Sequence, residues 1–187
     1  HETASPGRHF TGSHQQTPAN RLEEVMRLEA DRFANNRWPD EEFRREVEVV
    51  KEERRVRIED SPRSMLYEVI SGTVFLASPY RRPISGWMSD LESMTPQDAR
   101  DFYQRWYVPA NAVVVVAGDL DPAEVLRLAQ RHYGSLPARA VPVRKPRNEP
   151  QQVGVRRVEH KAPAEQSYVS LSFKVPQLRT FEPSPEA

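Results

Sequence analysis

Cysteine is absent, which at once removes disulfide frameworks, thiol nucleophiles and thiolate metal sites. No apolar run approaches the roughly 20 residues that a membrane-crossing helix needs. The opening HETASPGRHF also has none of the apolar core of a signal peptide. A surplus of one charge is lacking too. The 27 Lys and Arg residues balance 27 Asp and Glu residues, so no global basic field points to nucleic acid or an anionic membrane as partner. No internal repeat is visible. The lack of cysteine fits the cytoplasm and the bacterial periplasm equally well.

What is present is polar but patterned. Of 187 residues, 37% are apolar and 29% charged, and the mean hydropathy is −0.74. The apolar residues are grouped rather than scattered, so a core is expected, with room for one domain and part of a second. Residues 1–18 read as extended or loop. From Asn20, a candidate cap, Leu22, Val25, Met26, Leu28 and Phe33 recur near helical spacing. Pro39-Asp40 opens a second, highly charged helix with Phe43, Val47, Val50 and Arg54 along one stripe. Ser61-Pro62 starts a third, running to about Phe75, and Trp87–Met94 a short fourth. Thr95-Pro96-Gln97-Asp98 predicts a capped helix start, as does Asp121-Pro122-Ala123-Glu124.

Strands are expected in three places. Ala112–Ala117 is a continuous valine run, the pattern of a strand buried on both faces. Val153–Val158 and Ser167–Val175 alternate apolar and polar residues as half-buried strands do. The fold class read from this order is α+β, with helices 21–35 and 40–59 packed on one face of a mixed sheet whose central strand is 112–117. The domain reading is 1–138 as one body, 139–152 as a Pro- and Arg-rich linker, and 153–187 as the first strands of a second, similar domain.

The second helix carries the candidate chemistry. Glu46 and Glu53 are seven residues apart, about 20° out of register on a helix, and overlap the Val49/Val50 stripe. Carboxylates at the edge of an apolar stripe are costly unless paired or bound to a metal. One outcome is ion pairing to Arg44, Arg45, Arg54 or Arg57 on a solvated helix. The other is a cleft-facing site.

Two stretches bear on that choice: EVEVVKEE from Glu46 to Glu53, and RVRIEDSP from Arg55 to Pro62. Upstream stands QQTPANRLEEVMRLEADRF, and downstream PYRRPISGWMSDLESMTPQDARDFYQRWYVPANAVVVVAGDLDP. The whole closely resembles the pitrilysin/insulinase family of zinc metallopeptidases, which includes the mitochondrial processing peptidases. The resemblance runs from the N-terminus to about Pro137 and more weakly through 153–176. It implies a processing-peptidase-like half and hydrolysis of peptide bonds in peptides and unfolded proteins. In that family two histidines of an H-x-x-E-H helix and a distant glutamate hold zinc, and the motif's own glutamate is the general base. The resemblance places the distant glutamate at Glu53 and a ligand-orienting acid at Glu46. It also sets Glu2–Gly12 against the strand that pairs with substrate, with Thr3 and Ala4 as the candidate substrate-strand positions. Here Ala4 matches the family pattern, Thr3 replaces its asparagine and Pro6 its threonine. Proline removes a backbone donor from that strand.

H-x-x-E-H itself does not occur: His1, His9, His14, His132 and His160 begin no such motif. Catalytic zinc needs three protein ligands and an open position, so this chain alone is expected neither to hold the ion nor to hydrolyse peptides. Three readings follow: a fragment or truncated member of an active metalloendopeptidase; a non-catalytic relative that partners an active subunit; or a helical module using the Arg/Glu-rich helix as an interaction surface. The partners implied by the resemblance are peptide substrates and a second peptidase subunit or a homo-dimer.

Overall fold

Proline and short polar residues set most of the helix starts. In the computed structural model, which describes residues 2–175, α1 spans Leu22–Asn35, α2 Asp40–Arg54, α3 Pro62–Val74, α4 Met88–Ser93, α5 Pro96–Trp106 and α6 Pro122–Tyr133. The Ser61 hydroxyl accepts from Ser64 N–H at the head of α3 (3.3 Å). Thr95 and Asp98 close a reciprocal capping box on α5, with Asp98 N–H to Thr95 Oγ1 at 3.2 Å and Thr95 N–H to Asp98 Oδ2 at 2.9 Å. Asp121 accepts from Ala123 N–H at 2.9 Å on α6. Such caps satisfy amides that have no partner inside the helix. Asn20 is not a cap: it lies in a 3-10 turn, Ala19–Arg21, and α1 begins without a side-chain cap.

The described residues divide into two units, 2–51 with 88–145 and 52–87 with 146–175; the boundary falls inside α2, after Lys51. In the first unit α1 packs against α6. Met26 and Ala30, four residues apart on α1, are buried, as are Leu91, Val108 and Leu128. Burying a side chain such as Leu128 stabilises by about 1.5–3 kcal/mol. The Tyr103 hydroxyl donates to the carbonyls of Arg32 and Phe33 at the end of α1 (3.3 and 3.0 Å), and Arg139 donates to those of Gln104 and Tyr107 at the end of α5 (both 3.0 Å). In the second unit the end of α2 runs into a π-helical turn, Arg55–Glu59, and then α3.

The sheet differs from the expected one. Among the described residues the only ladder is a hairpin, β1 (Glu2–Pro6) antiparallel to β2 (Thr11–Gln15), with Glu2 opposite Gln15 and Pro6 opposite Thr11. Its turn is closed by Gly7 N–H to the Phe10 carbonyl at 2.7 Å. Ala112–Ala117 lies outside any ladder, with Val113 88% and Val115 83% exposed. It is therefore not a central strand carrying helices on one face. Val153–Val158 and the described part of 167–187, up to Val175, are likewise unladdered and largely exposed. The reason is physical. A strand's N–H and C=O groups need a neighbouring strand, and no described strand pairs with these. The remainder of the expected second-domain start, 176–187, lies outside the described residues.

Candidate functional site

The charged helix forms as its spacing predicts. Along α2 and just beyond it, ion pairs step at three and four residues: Arg45 to Glu41 (2.5 Å) and Glu42 (3.2 Å), Lys51 to Glu48 (2.6 Å), and Arg55 to Glu52 (3.0 Å). The start of α2 is tied down by Arg100, which pairs with Asp40 and donates to the Trp38 carbonyl at 3.3 Å. Asp40 is held below the usual carboxylate range by that Arg100 contact.

Glu46 and Glu53 both stand on α2, as expected, and both are exposed rather than facing a cleft. Val49, expected on the buried stripe, is exposed as well. Glu53 pairs with Arg57 Nη1 at 2.8 Å, because residues four apart on a helix lie within reach. With the two side chains 44% and 75% exposed, that pair contributes only about 0–1 kcal/mol, so Arg57 does not lock the Glu53 carboxylate. A partly open pocket of about 350 Å³, lined by Asn36, Arg37, Trp38, Arg100, Tyr103 and Gln104, includes neither glutamate.

The residue that fixes this end of α2 is Arg54, only 6% exposed. It does not pair with Glu46 or Glu53. Its guanidinium forks onto Glu68 of α3, Nη1 and Nη2 each donating at 3.0 Å, and Nη1 also reaches the Gly86 carbonyl at 2.9 Å. Nε lies 3.3 Å from Glu59, and the group sits 5.8 Å from the Trp87 ring centroid. The Glu68 contact raises its pKa further still, so it stays charged. Gly86 accepts this role with φ +80°, where a side chain would be strained. An arginine on an apolar stripe was the signal in the sequence; Glu68, fourteen residues on, was not marked by any spacing rule.

Thr3 and Ala4 lie mid-strand on β1, opposite His14 and Ser13. Pro6 ends that strand. His9 and His14 are exposed on the hairpin.

Zinc, implied by the family resemblance, is not accommodated by these groups alone. Among the described residues no three His, Asp or Glu side chains converge as a metal cluster, and Glu53 supplies one ligand where three are needed. No helix of the described residues is long and apolar enough to cross a membrane.

Comparison with known proteins gives the family context. Residues 93–185 match the family model described as the Peptidase M16 inactive domain. The chain is 34% identical over 162 residues to the zinc protease PqqE of Helicobacter pylori, covering 84% of this chain and 36% of that protein. It is 32% identical over 157 residues to an uncharacterized zinc protease of Mycobacterium leprae, covering 83% and 35%. Among solved structures, a protease from Helicobacter pylori superposes with a TM-score of 0.73 at 30% identity, covering 80% of this chain and 37% of that one. The first half of the periplasmic protease PqqL of Escherichia coli superposes with a TM-score of 0.63 at 25% identity, covering 74% and 29%. The chain thus spans about a third of the length of the curated relatives it matches. With relatives named as zinc proteases across most of its length, the chain belongs to the pitrilysin-type M16 peptidase family.

Proposed function

We propose that this chain supplies the glutamate ligand and the supporting helices of a zinc metalloendopeptidase that hydrolyses peptide bonds in peptides and unfolded proteins. The observation that carries the reading is the heptad Glu46–Glu53 on one continuous helix, in a chain similar over 162 residues to a named zinc protease. Glu53 is the metal ligand. Glu46, one heptad earlier, orients the ligand shell, and Thr3 and Ala4 offer the backbone along which an extended substrate lies. Two histidines and the general base come from an H-x-x-E-H segment that this sequence does not contain.

The organisation follows from that reading. Residues 1–138 are the C-terminal portion of the peptidase's N-terminal domain, 139–152 a linker and 153–187 the start of a second, similar domain. Ala112–Ala117, 153–158 and 167–175 become strands of a mixed sheet once neighbouring strands from outside this chain lie beside them. The exposed valines at 113 and 115 are what such strands would cover. The bacterial periplasm or cytoplasm suits the protein, since one similar structure is of a periplasmic protease. A second peptidase subunit or a second copy completes the enclosure of substrate.

A second reading, a non-catalytic partner of an active subunit, is favoured by Pro6, which removes a donor from β1. Cleavage of an unstructured peptide separates the two. The chain joined to an H-x-x-E-H segment is expected to cleave, Glu53→Gln to abolish cleavage, and Glu46→Gln to slow it by about 10–100-fold. No cleavage by the joined polypeptide favours the non-catalytic reading.

A further inference from the structure

The end of α3 carries a charge arrangement that the peptidase reading does not use. Where α3 stops at Val74, three successive backbone amides turn toward one carboxylate. Leu76 N–H donates to Glu149 at 2.9 and 3.1 Å, Ala77 N–H at 2.8 Å and Ser78 N–H at 2.8 Å. Successive amides in such a turn form an anion-binding concavity. Lys174 Nζ completes it from the other side, 2.7 Å from Glu149 Oε1 and 5.8 Å from the Phe75 ring centroid. The Lys174 ammonium and these amides hold the Glu149 carboxyl far below the usual carboxylate range.

A complementary contact lies one turn back. Arg156 Nη1 donates to the carbonyls of Thr73 and Val74, at 2.7 and 3.2 Å, the last residues of α3. Those carbonyls have no partner within the helix, and the C-terminal end of a helix attracts a cation. The same segment therefore offers a carboxylate to the amides beyond the helix and a guanidinium to the carbonyls that end it. The two are seven positions apart: Glu149 sits in the Pro- and Arg-rich stretch 139–152, and Arg156 in the 153–158 stretch that reads as a strand.

We propose that residues 149–156 form a charge-coded strap, fastened on α3 by Glu149 and Arg156 and locked by Lys174. α3 also carries Glu68, the partner of the buried Arg54 beside Glu53. The strap thus seats residues 149–156, and the alternating 167–175 stretch beyond them, on the helix that steadies the end of α2. The proposal is independent of zinc.

Amide hydrogen exchange by NMR on this chain tests it. In the unmodified chain the Leu76, Ala77 and Ser78 amides are expected to exchange at least about tenfold more slowly than in Glu149→Ala, the loss of three bonds to a charged acceptor. Glu149→Gln keeps an acceptor and loses the charge, and is expected to fall between. Arg156→Ala is expected to lower the backbone NMR order parameters of residues 149–156 to below about 0.6 while leaving the Ala77 amide partly protected. Amides of α5 and α6 serve as the control: unchanged protection there separates release of the strap from general unfolding. Free-peptide exchange at Leu76–Ser78 in the unmodified chain overturns the proposal. So does unchanged protection in both Glu149 variants.

Discussion

Replacing Arg54 with methionine while keeping Glu68 tests how the second unit is held. Glu68 is 17% exposed, and its carboxylate takes both prongs of the Arg54 fork at 3.0 Å. Methionine fills much of the same volume but leaves that carboxylate, and the Gly86 carbonyl, without their donor. Removing one partner of a buried pair typically costs about 3–5 kcal/mol, because the remaining charge stays desolvated. Against a total stability of roughly 5–15 kcal/mol this is a large fraction. Trp87 lies 5.8 Å from the guanidinium, so its fluorescence reports the region once Trp38 and Trp106 are changed to Phe. Urea unfolding followed at Trp87 should show the full loss in Arg54→Met. Arg54→Lys should lose less, since it keeps the charge without the fork. Arg54→Met combined with Glu68→Leu should recover most of the loss, because no stranded charge remains. A cost below about 1 kcal/mol for the single variant, or a double variant no better than the single, would refute the reasoning.

Thr95→Ala should destabilise α5 by about 1 kcal/mol, read as an earlier loss of helical circular dichroism in urea. Asp98 is held below its ordinary value of 3.8 by the Thr95 hydroxyl and amide. The sign follows: its contribution is complete above that value and fades as pH falls beneath it, visible as a shift of the Thr95 amide resonance in acid. Arg57→Ala should change stability by less than about 1 kcal/mol, because its pair with Glu53 is exposed; a loss of several kcal/mol in urea unfolding would mean that Arg57 is structural.

Much of the helical layer was legible in the sequence, and for local reasons. Thr95-Pro96 and Asp121-Pro122 place a cap and a preset φ where the chain must turn into a helix, and α5 and α6 start there. Ser61-Pro62 does the same for α3. Asn20 misled because a 3-10 turn takes up the residues before α1. Strand pattern was a weaker guide, since it records what a segment needs rather than whether a neighbour is beside it. The valine run at 112–117 is apolar enough for a sheet interior, yet no described strand pairs with it. The heptad at Glu46 and Glu53 put both on α2 correctly, while the spacing could not tell that Arg54 would choose Glu68. Glu149 was invisible for a related reason: its partners are backbone amides 71–73 residues away, which no side-chain pattern announces.

The central claim is that Glu53 is one ligand of a zinc site completed from outside this sequence. Calorimetric zinc titration tests it, run on this chain, on the chain joined to an H-x-x-E-H segment, and on the joined polypeptide carrying Glu53→Gln. The account predicts tight, one-to-one zinc in the joined polypeptide alone, with binding lost or severely weakened in Glu53→Gln. Equal zinc affinity with and without the Glu53 carboxylate would contradict it, as would stoichiometric tight zinc in the chain by itself.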